Sequence, residues 1–523
     1  MNRKKLKKEE IKTKKQIEEK QNIAHRNSGK QNGEPKVIEL NLSATVAVII
    51  AIVVLIVTVT SVKVITTIIV ADENKKLNND TQISNERVTY VNSTLKDESG
   101  NIVNETDADG NVIQVPVPKG YSASKIEGET TASKGFVIYE GDVDWSTILV
   151  DSESTQSNVA IDEPAFDDDL VVINENMPES NIVQDANDDE NTAEDATAND
   201  DTTTDTTTPT QEEINIFNLQ KTRNQYVWVP VDDPARIYGV DNKGKIWGKL
   251  YNFSNTGRTA YNWTETNGIM NITSQTSYRE PNVLQISSGY DCDGYSYMHS
   301  SGLGETRYEM LAQELEQNYY EIIESIKKYG GFYIGRYETG GLNGTAVVRK
   351  MDTDISYKNW YTMYKKCLTL KGTNTDVKTS MIFGNLWDET LEWLVKSGAT
   401  ISDGTTLTYQ LVSSNSTTWG NYSNATFNYI AANAETPLMT ETKAQSSTII
   451  PAGSAEYTKA NNVYDMAGNV WDWTTEAKST DYRVYRGGYF ISFGYDNPAS
   501  YRSYRVPISS RSDYGCRSVL WIK

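Results

Sequence analysis

The sequence predicts an irregular α+β domain, preceded by a single transmembrane helix and containing a disordered acidic segment. Three observations carry that prediction. Two stretches place apolar residues at three- and four-residue spacing, among many short strand-like runs separated by Asn, Ser, Thr and Gly. Residues 40–62 form an apolar run without a charge. Residues 135–220 hold 23 acidic residues and no Lys or Arg, so they repel one another and bury little.

Residues 1–39 read as a cytoplasmic tail, because the first 36 carry 12 Lys or Arg against 5 Asp or Glu. The run at 40–62 is 23 residues long. At ~1.5 Å per residue it crosses a ~30 Å hydrocarbon core. Its basic flank places the N-terminus in the cytoplasm and the rest of the chain outside, anchored in membrane lipid. The run is too long for a signal-peptide core, and no Ala-x-Ala site follows, so the expected localisation is a single-pass cell-membrane protein. Residues 63–88 follow as a juxtamembrane linker, 89–145 as the first strands of the ectodomain, 146–220 as the acidic insertion or linker, and 221–523 as the main domain.

Strand-like pieces fall at 111–117, 134–139 and 224–230. The first helix is predicted over 305–328, where Leu311, Leu315, Tyr319, Ile322, Ile323 and Ile326 share a face and Gly330-Gly331 ends it. A strand follows at 332–338. The second helix is predicted over 385–396, with Leu386, Leu391, Leu394 and Val395 as its stripe and Trp387 and Trp393 as large anchors. The net charge of −20 belongs mainly to the acidic segment, and the exported part has no basic face, which argues against nucleic acid as a partner. Three cysteines, Cys292, Cys367 and Cys516, allow at most one internal bridge and are expected as buried thiols.

Asp465 and Asp472 stand seven residues apart around Gly468 and Val470. Such a loop either turns its two carboxylates onto one calcium ion or uses the acids to cap its own backbone. Asp291-Cys292-Asp293-Gly294 reads as an Asx-rich turn. From Tyr489 to Tyr514 more than half the residues are Tyr, Ser, Asn or Asp. Tyr supplies rigid contact area and Ser or Asn adaptable hydrogen bonds, as in binding surfaces. The candidate ligand-binding residues are Tyr489, Ser492, Tyr495, Asn497, Tyr501, Arg502, Tyr504, Asp513 and Tyr514. Arg486, Arg502, Arg505 and Arg517 either present guanidinium groups to a ligand or pair with local acids.

Residues 462–473 read Asn-Val-Tyr-Asp-Met-Ala-Gly-Asn-Val-Trp-Asp-Trp. They are followed by Arg486-Gly487-Gly488, Tyr501-Arg502-Ser503-Tyr504-Arg505 and Gly515-Cys516-Arg517. In this order the motifs resemble the formylglycine-generating, sulfatase-modifying factor family, whose fold is C-type lectin-like. The resemblance implies a structural calcium ion held by Asp465 and Asp472 side chains with the Gly468 and Val470 carbonyls; Asp stands here for the family's Asn and Glu. It also implies that the pieces around 115–120, 134–139 and 224–230 lie together, making the acidic segment an insertion rather than a stalk. Such an insertion is tolerable because loop-closure cost grows slowly with length.

The family's oxidase binds copper(I) with two cysteines between the Gly-Gly strand and the final Gly-Phe-Arg. Residues 489–514 contain no cysteine, so no copper is expected and the oxidase reaction has no visible carrier. His25 and His299 are the only histidines, too few for the histidine cluster of the related iron enzymes. The expected function is therefore recognition of an extracellular protein or glycan by a membrane-anchored, non-catalytic domain. The alternatives are a formylglycine-generating oxidase and a structural part of a surface assembly.

Overall fold

Runs rich in Val, Ile, Tyr and Trp build two larger sheets, beside several two-stranded ones, in this computed structural model, which describes residues 87–150, 208–261, 263–272, 278–281, 307–479 and 482–523. All of these lie in the second of two units, Ile83–Lys523. The expected tail, the span at 40–62, the turn at 291–294, Cys292, His25 and His299 lie outside the described residues. None of the described helices is long and apolar enough to cross a membrane.

The strands that matter for the site are β1 (Tyr121–Ala123), β2 (Val137–Glu140), β3 (Gln225–Pro230), β4 (Gly331–Gly335), β5 (Val377–Met381), β6 (Trp471–Ala477), β7 (Arg483–Arg486), β8 (Arg502–Arg505), β9 (Tyr514–Cys516) and β10 (Ser518–Ile522). The main sheet runs β5-β10-β4-β3-β2-β1, antiparallel throughout. The smaller sheet runs β8-β7-β6-β9, and only the β6–β9 pair is parallel. Between β9 and β10 the chain passes from one sheet to the other through the single residue Arg517. The fold is thus mixed α/β, with strands dominant.

Four helices pack on these sheets: α1 (Gln211–Thr222), α2 (Arg307–Tyr329), α3 (Trp360–Thr369) and α4 (Gly384–Lys396). The periodic faces of α2 and α4 are their buried faces. Ile322, Ile323 and Ile326 of α2 meet Leu386, Trp387, Leu391 and Leu394 of α4 in one core, with Val227, Val229, Ile334 and Trp521 from the main sheet. Both helices lie within two residues of their predicted bounds. The strand expected at 332–338 ends at Gly335, and Arg336, Tyr337 and Glu338 continue it as buried loop residues.

Helix α1 corrects the prediction of disorder through residue 220. Composition dominated that reading and hid a capping box: the Thr210 hydroxyl accepts from the Glu213 N–H, and the Glu213 carboxylate accepts from the Thr210 N–H. Helix α3 went unpredicted because its buried side is aromatic rather than aliphatic, with Trp360 stacked on Tyr364 at 5.1 Å. Strand β2 pairs directly with β3, Val137 facing Val227 and Tyr139 facing Gln225. Residues 151–207 therefore connect two neighbouring strands. The 124–137 stretch is also tied inward, where buried Glu129 pairs with Arg336 at 2.7 Å.

Helix α4 begins at Phe383, which supplies no side-chain cap. The carboxyl of distant Glu280 does so instead, accepting from the Gly384 N–H at 2.9 Å and the Thr475 hydroxyl at 2.8 Å. Burial pushes this carboxyl from 4.5 to about 8, against the opposing pull of those two donors. The unfolded chain loses the proton near 4.5, so its stabilising effect is complete below that pH and is lost as pH rises toward 8. Replacing Glu280 by Gln is expected to flatten the fall in melting midpoint between pH 5 and 8 relative to the native chain. An unchanged slope would refute this placement of the proton.

Candidate functional site

The loop from Asn461 to Asn469 is tightly turned. Asn461, Asn462, Asp465 and Asn469 adopt φ values of 44°, 64°, 57° and 59°, a left-handed region that Asn and Asp tolerate better than most residues. Gly468, at φ 75°, lies against the Asn421 backbone where a Cβ would collide. This folding buries both predicted metal-ligand carboxylates. Asp465 accepts from the Gly453 N–H and the Thr458 hydroxyl, each at 2.7 Å. Asp472 accepts from Arg517 Nε at 3.3 Å through one oxygen, and its other oxygen, Oδ1, has no hydrogen-bond partner.

A third acid joins them. Glu338 accepts from Asn469 Nδ2 at 2.6 Å and from the Val470 N–H at 3.2 Å. Burial first, then the charges of Asp465 and Asp472, raises Glu338 well above the ordinary carboxylate range. Burial also raises Asp465 and takes Asp472 to about 7, with Arg517 pulling both the other way. Among the described residues, no three His, Cys, Asp or Glu side chains form a metal cage. The expected set has only two carboxylates plus carbonyls; Asp472 offers it one unpartnered oxygen, while Arg517 holds the other. Glu338 was missed in the sequence because it is over 120 residues upstream; its one signal is an acid directly after a buried strand.

A second polar cluster underlies the Tyr-rich segment. Arg486 meets Asp388 at 2.8 Å and Glu476 at 3.5 Å, all three fully buried. Arg502 pairs with the same Asp388 and, at 3.0 Å, with Glu476, and donates to the Tyr251 carbonyl at 2.6 Å. Arg486 also donates to the carbonyls of Ser500 and Tyr501 at 3.1 and 3.2 Å, which fixes the backbone leading into β8. Next to them, Arg258 meets Glu389 at 2.9 Å and Glu392 at 3.5 Å, and Arg236 meets Glu389 at 3.0 Å. The arginine pairing expected of Arg486, Arg502 and Arg517 is seen; Arg505 stands exposed.

The nine candidate ligand residues divide by position. Tyr495, Tyr501 and Tyr504 are exposed, at 54%, 42% and 38%, together with Ile491, Phe493 and Ile508, which the sequence reading passed over. Tyr489, Ser492 and Asn497 are half-buried. The Tyr489 ring stacks on Trp471 at 5.3 Å, and Tyr501 approaches the same indole at 6.1 Å. Three residues correct the prediction. The Arg502 guanidinium is spent on Asp388 and Glu476. Asp513 is buried and paired with Arg511 at 2.9 Å. Tyr514 is buried between Trp473 and Tyr485, 5.1 Å from each. Composition marks a segment as adhesive but does not say which way each side chain points.

The exposed segment is well held. Gly487 and Gly488 turn the chain at φ 92° and 79°. Phe490 N–H donates to the Asn469 carbonyl at 2.9 Å, tying the face to the acidic loop. Ser416 N–H donates to Gly494, and Ser423 N–H to Ser492, each at 3.0 Å. Beside Tyr501 lies a cavity of about 290 Å³, lined by Asn252, Tyr261, Tyr278, Ser413 and Ser500 among others. Lys478 Nζ sits 3.4 Å from the Tyr504 ring centre, on the outer side of this group.

Removing Arg486 leaves two buried acids to Arg502 alone. Arg486→Met is expected to lower unfolding stability by about 3–5 kcal/mol, read by chemical denaturation. The double change Arg486→Met with Asp388→Leu is expected to regain part of that loss, because it removes an uncompensated charge.

Solved structures similar to this chain include two with low identity. The one described as the crystal structure of CarF has 12% identity and a TM-score of 0.17, covering 37% of this chain and 87% of its own. The Treponema denticola variable protein 1 has 15% identity and a TM-score of 0.19, covering 53% of this chain and 96% of its own. No curated protein matches the chain. The family model of the sulfatase-modifying factor enzyme 1-like domain matches residues 384–522, which hold α4, the acidic loop, the paired arginines and the Tyr-rich face. Over these residues the chain carries a sulfatase-modifying factor enzyme 1-like domain.

Proposed function

We propose that this domain is a non-catalytic recognition module, displayed at the cell surface by the apolar span at 40–62, which binds a protein or glycan through the face built from residues 489–504. One observation carries the reading. Ile491, Phe493, Tyr495, Tyr501 and Tyr504 point outward from a backbone that is itself anchored by hydrogen bonds and buried ion pairs. A rigid segment has no folding reason to keep five large apolar or aromatic side chains in water, whereas a binding surface does. The adjoining cavity with its Asn, Ser and Tyr lining supplies polar groups beside the rings.

A calcium ion at Asp465, Asp472 and the Gly468 and Val470 carbonyls would support this face from beneath, since Phe490 hangs from the same loop. It would neutralise acids that burial now holds above their usual range. The absence of cysteine from 489–514 weighs against the family's oxidase reaction.

Two outcomes are expected. On protein and glycan arrays, the native domain binds a defined subset of probes, and the double change Tyr495→Ala with Tyr501→Ala reduces that signal at least tenfold without moving the melting midpoint. Uniform absence of binding, together with conversion of a Cys-x-Pro-x-Arg peptide in the presence of copper, would favour the oxidase instead. Calcium is expected to raise the melting midpoint and a chelator to lower it. The rise should be larger at pH 8 than at pH 6, because Asp472, at about 7, must lose its proton to bind. A midpoint indifferent to calcium at both pH values would remove the metal.

A further inference from the structure

The core between α3 and the smaller sheet contains two sulfur atoms in contact. Cys367 lies in the last turn of α3, and Cys516 is the final residue of β9. Their Sγ atoms are 3.7 Å apart, although 149 residues separate them in the chain. Both side chains are fully buried, packed with Trp360, Tyr364, Met381 and Trp473. The Thr339 hydroxyl lies 3.9 Å from the Cys367 sulfur. In the parallel pairing of β6 with β9, Asp472 faces Gly515 and Trp473 faces Cys516.

We propose that Cys367 and Cys516 form an intramolecular disulfide that fastens α3 to the strand ending at Arg517. Bonded sulfurs lie about 2.05 Å apart, and a disulfide tolerates side-chain rotation more readily than backbone movement. The two sulfurs are already in contact, on elements that packing holds side by side. The oxidant is a small-molecule disulfide such as glutathione disulfide. One cysteine thiolate attacks it and releases one glutathione thiol; the second thiolate displaces the other. One protein S–S bond forms, the oxidant S–S bond breaks, and two electrons pass to the oxidant. Burial and its neighbour Cys367 push the Cys516 thiol up, so the thiolate is scarce once the core has closed. Both sulfurs are fully buried, so an oxidant reaches them before α3 and β9 pack, and the finished bond is shielded from reductant.

The bridge closes a long loop, and such loops gain most from a cross-link in the chain-entropy view. It spans the junction where the smaller sheet, Arg517 and the main sheet meet. The full chain should be refolded with glutathione and its disulfide, then denatured without reductant, alkylated with iodoacetamide and cleaved to peptides. The expected map shows the Cys367 peptide joined to the Cys516 peptide, with Cys292 alkylated. Cys292→Ser is expected to keep the link. Reduction in denaturant followed by refolding with reductant should lower the melting midpoint by roughly 10 °C. Cys367→Ser should lower the midpoint of oxidised protein and leave that of reduced protein nearly unmoved. Alkyl groups on both Cys367 and Cys516 of the oxidised native chain would overturn the proposal, as would a link from either to Cys292. The map of the native chain decides the matter even if Cys367→Ser fails to fold.

Discussion

Buried guanidinium groups set the terms on which this domain exists. Arg486, Arg517 and Arg336 are each less than about a twentieth exposed, and each is met by a buried carboxylate. Taking such charges from water costs several kcal/mol apiece unless partners are close and the remaining hydrogens are satisfied. The fold meets that demand by bringing together residues from remote parts of the chain: Asp388 and Glu476 for Arg486, Asp472 with the Gly335 and Tyr464 carbonyls for Arg517, Glu129 for Arg336. Each of these charges is neutralised only when remote segments come together. That makes the arrangement selective for one topology rather than merely stable.

The same demand explains why α4 is the pivot of the structure. Its apolar stripe enters the main core through Leu386, Trp387, Leu391 and Leu394. Its other side carries Asp388, Glu389 and Glu392, also buried, into a lattice of four arginines from four surrounding segments. A helix buried on nearly all sides usually has an apolar circumference. Here the polar half is interior too, and its charges are cancelled in place. The aromatic face rests on this lattice, because Arg486 grips the carbonyls just before and at Tyr501.

Much of this was legible in the sequence, for reasons that can be named. The stripes of α2 and α4 are spaced as helices must be, and the structure returns them almost residue for residue. The motifs from Asn462 to Arg517 lie within the stretch, 384–522, that the family model matches. What escaped notice depends on distance or direction. Glu338 joins Asp465 and Asp472 only after folding. Glu280 caps a helix more than 100 residues away. Arg502 and Tyr514 have the residue types of a binding surface but face inward, and nothing in composition distinguishes them from Tyr495 and Tyr501. Helix α1 was masked by the acidic run that adjoins it, although its capping box is a local signal.

Strand β2 beside β3 has a consequence for where the molecule can be divided. A boundary drawn by composition at residue 221, or by the family match at residue 384, cuts through a continuous sheet. A fragment beginning at 221 would leave β3 without β2, and one beginning at 384 would leave β10 without β4 and β5, each exposing a row of backbone groups that the whole chain pairs. Uncovered strands of that kind recruit other strands and aggregate. The early strands thus act as an edge guard, encoded far upstream of the part that bears the family's signature, and the smallest piece that can stand alone begins before them.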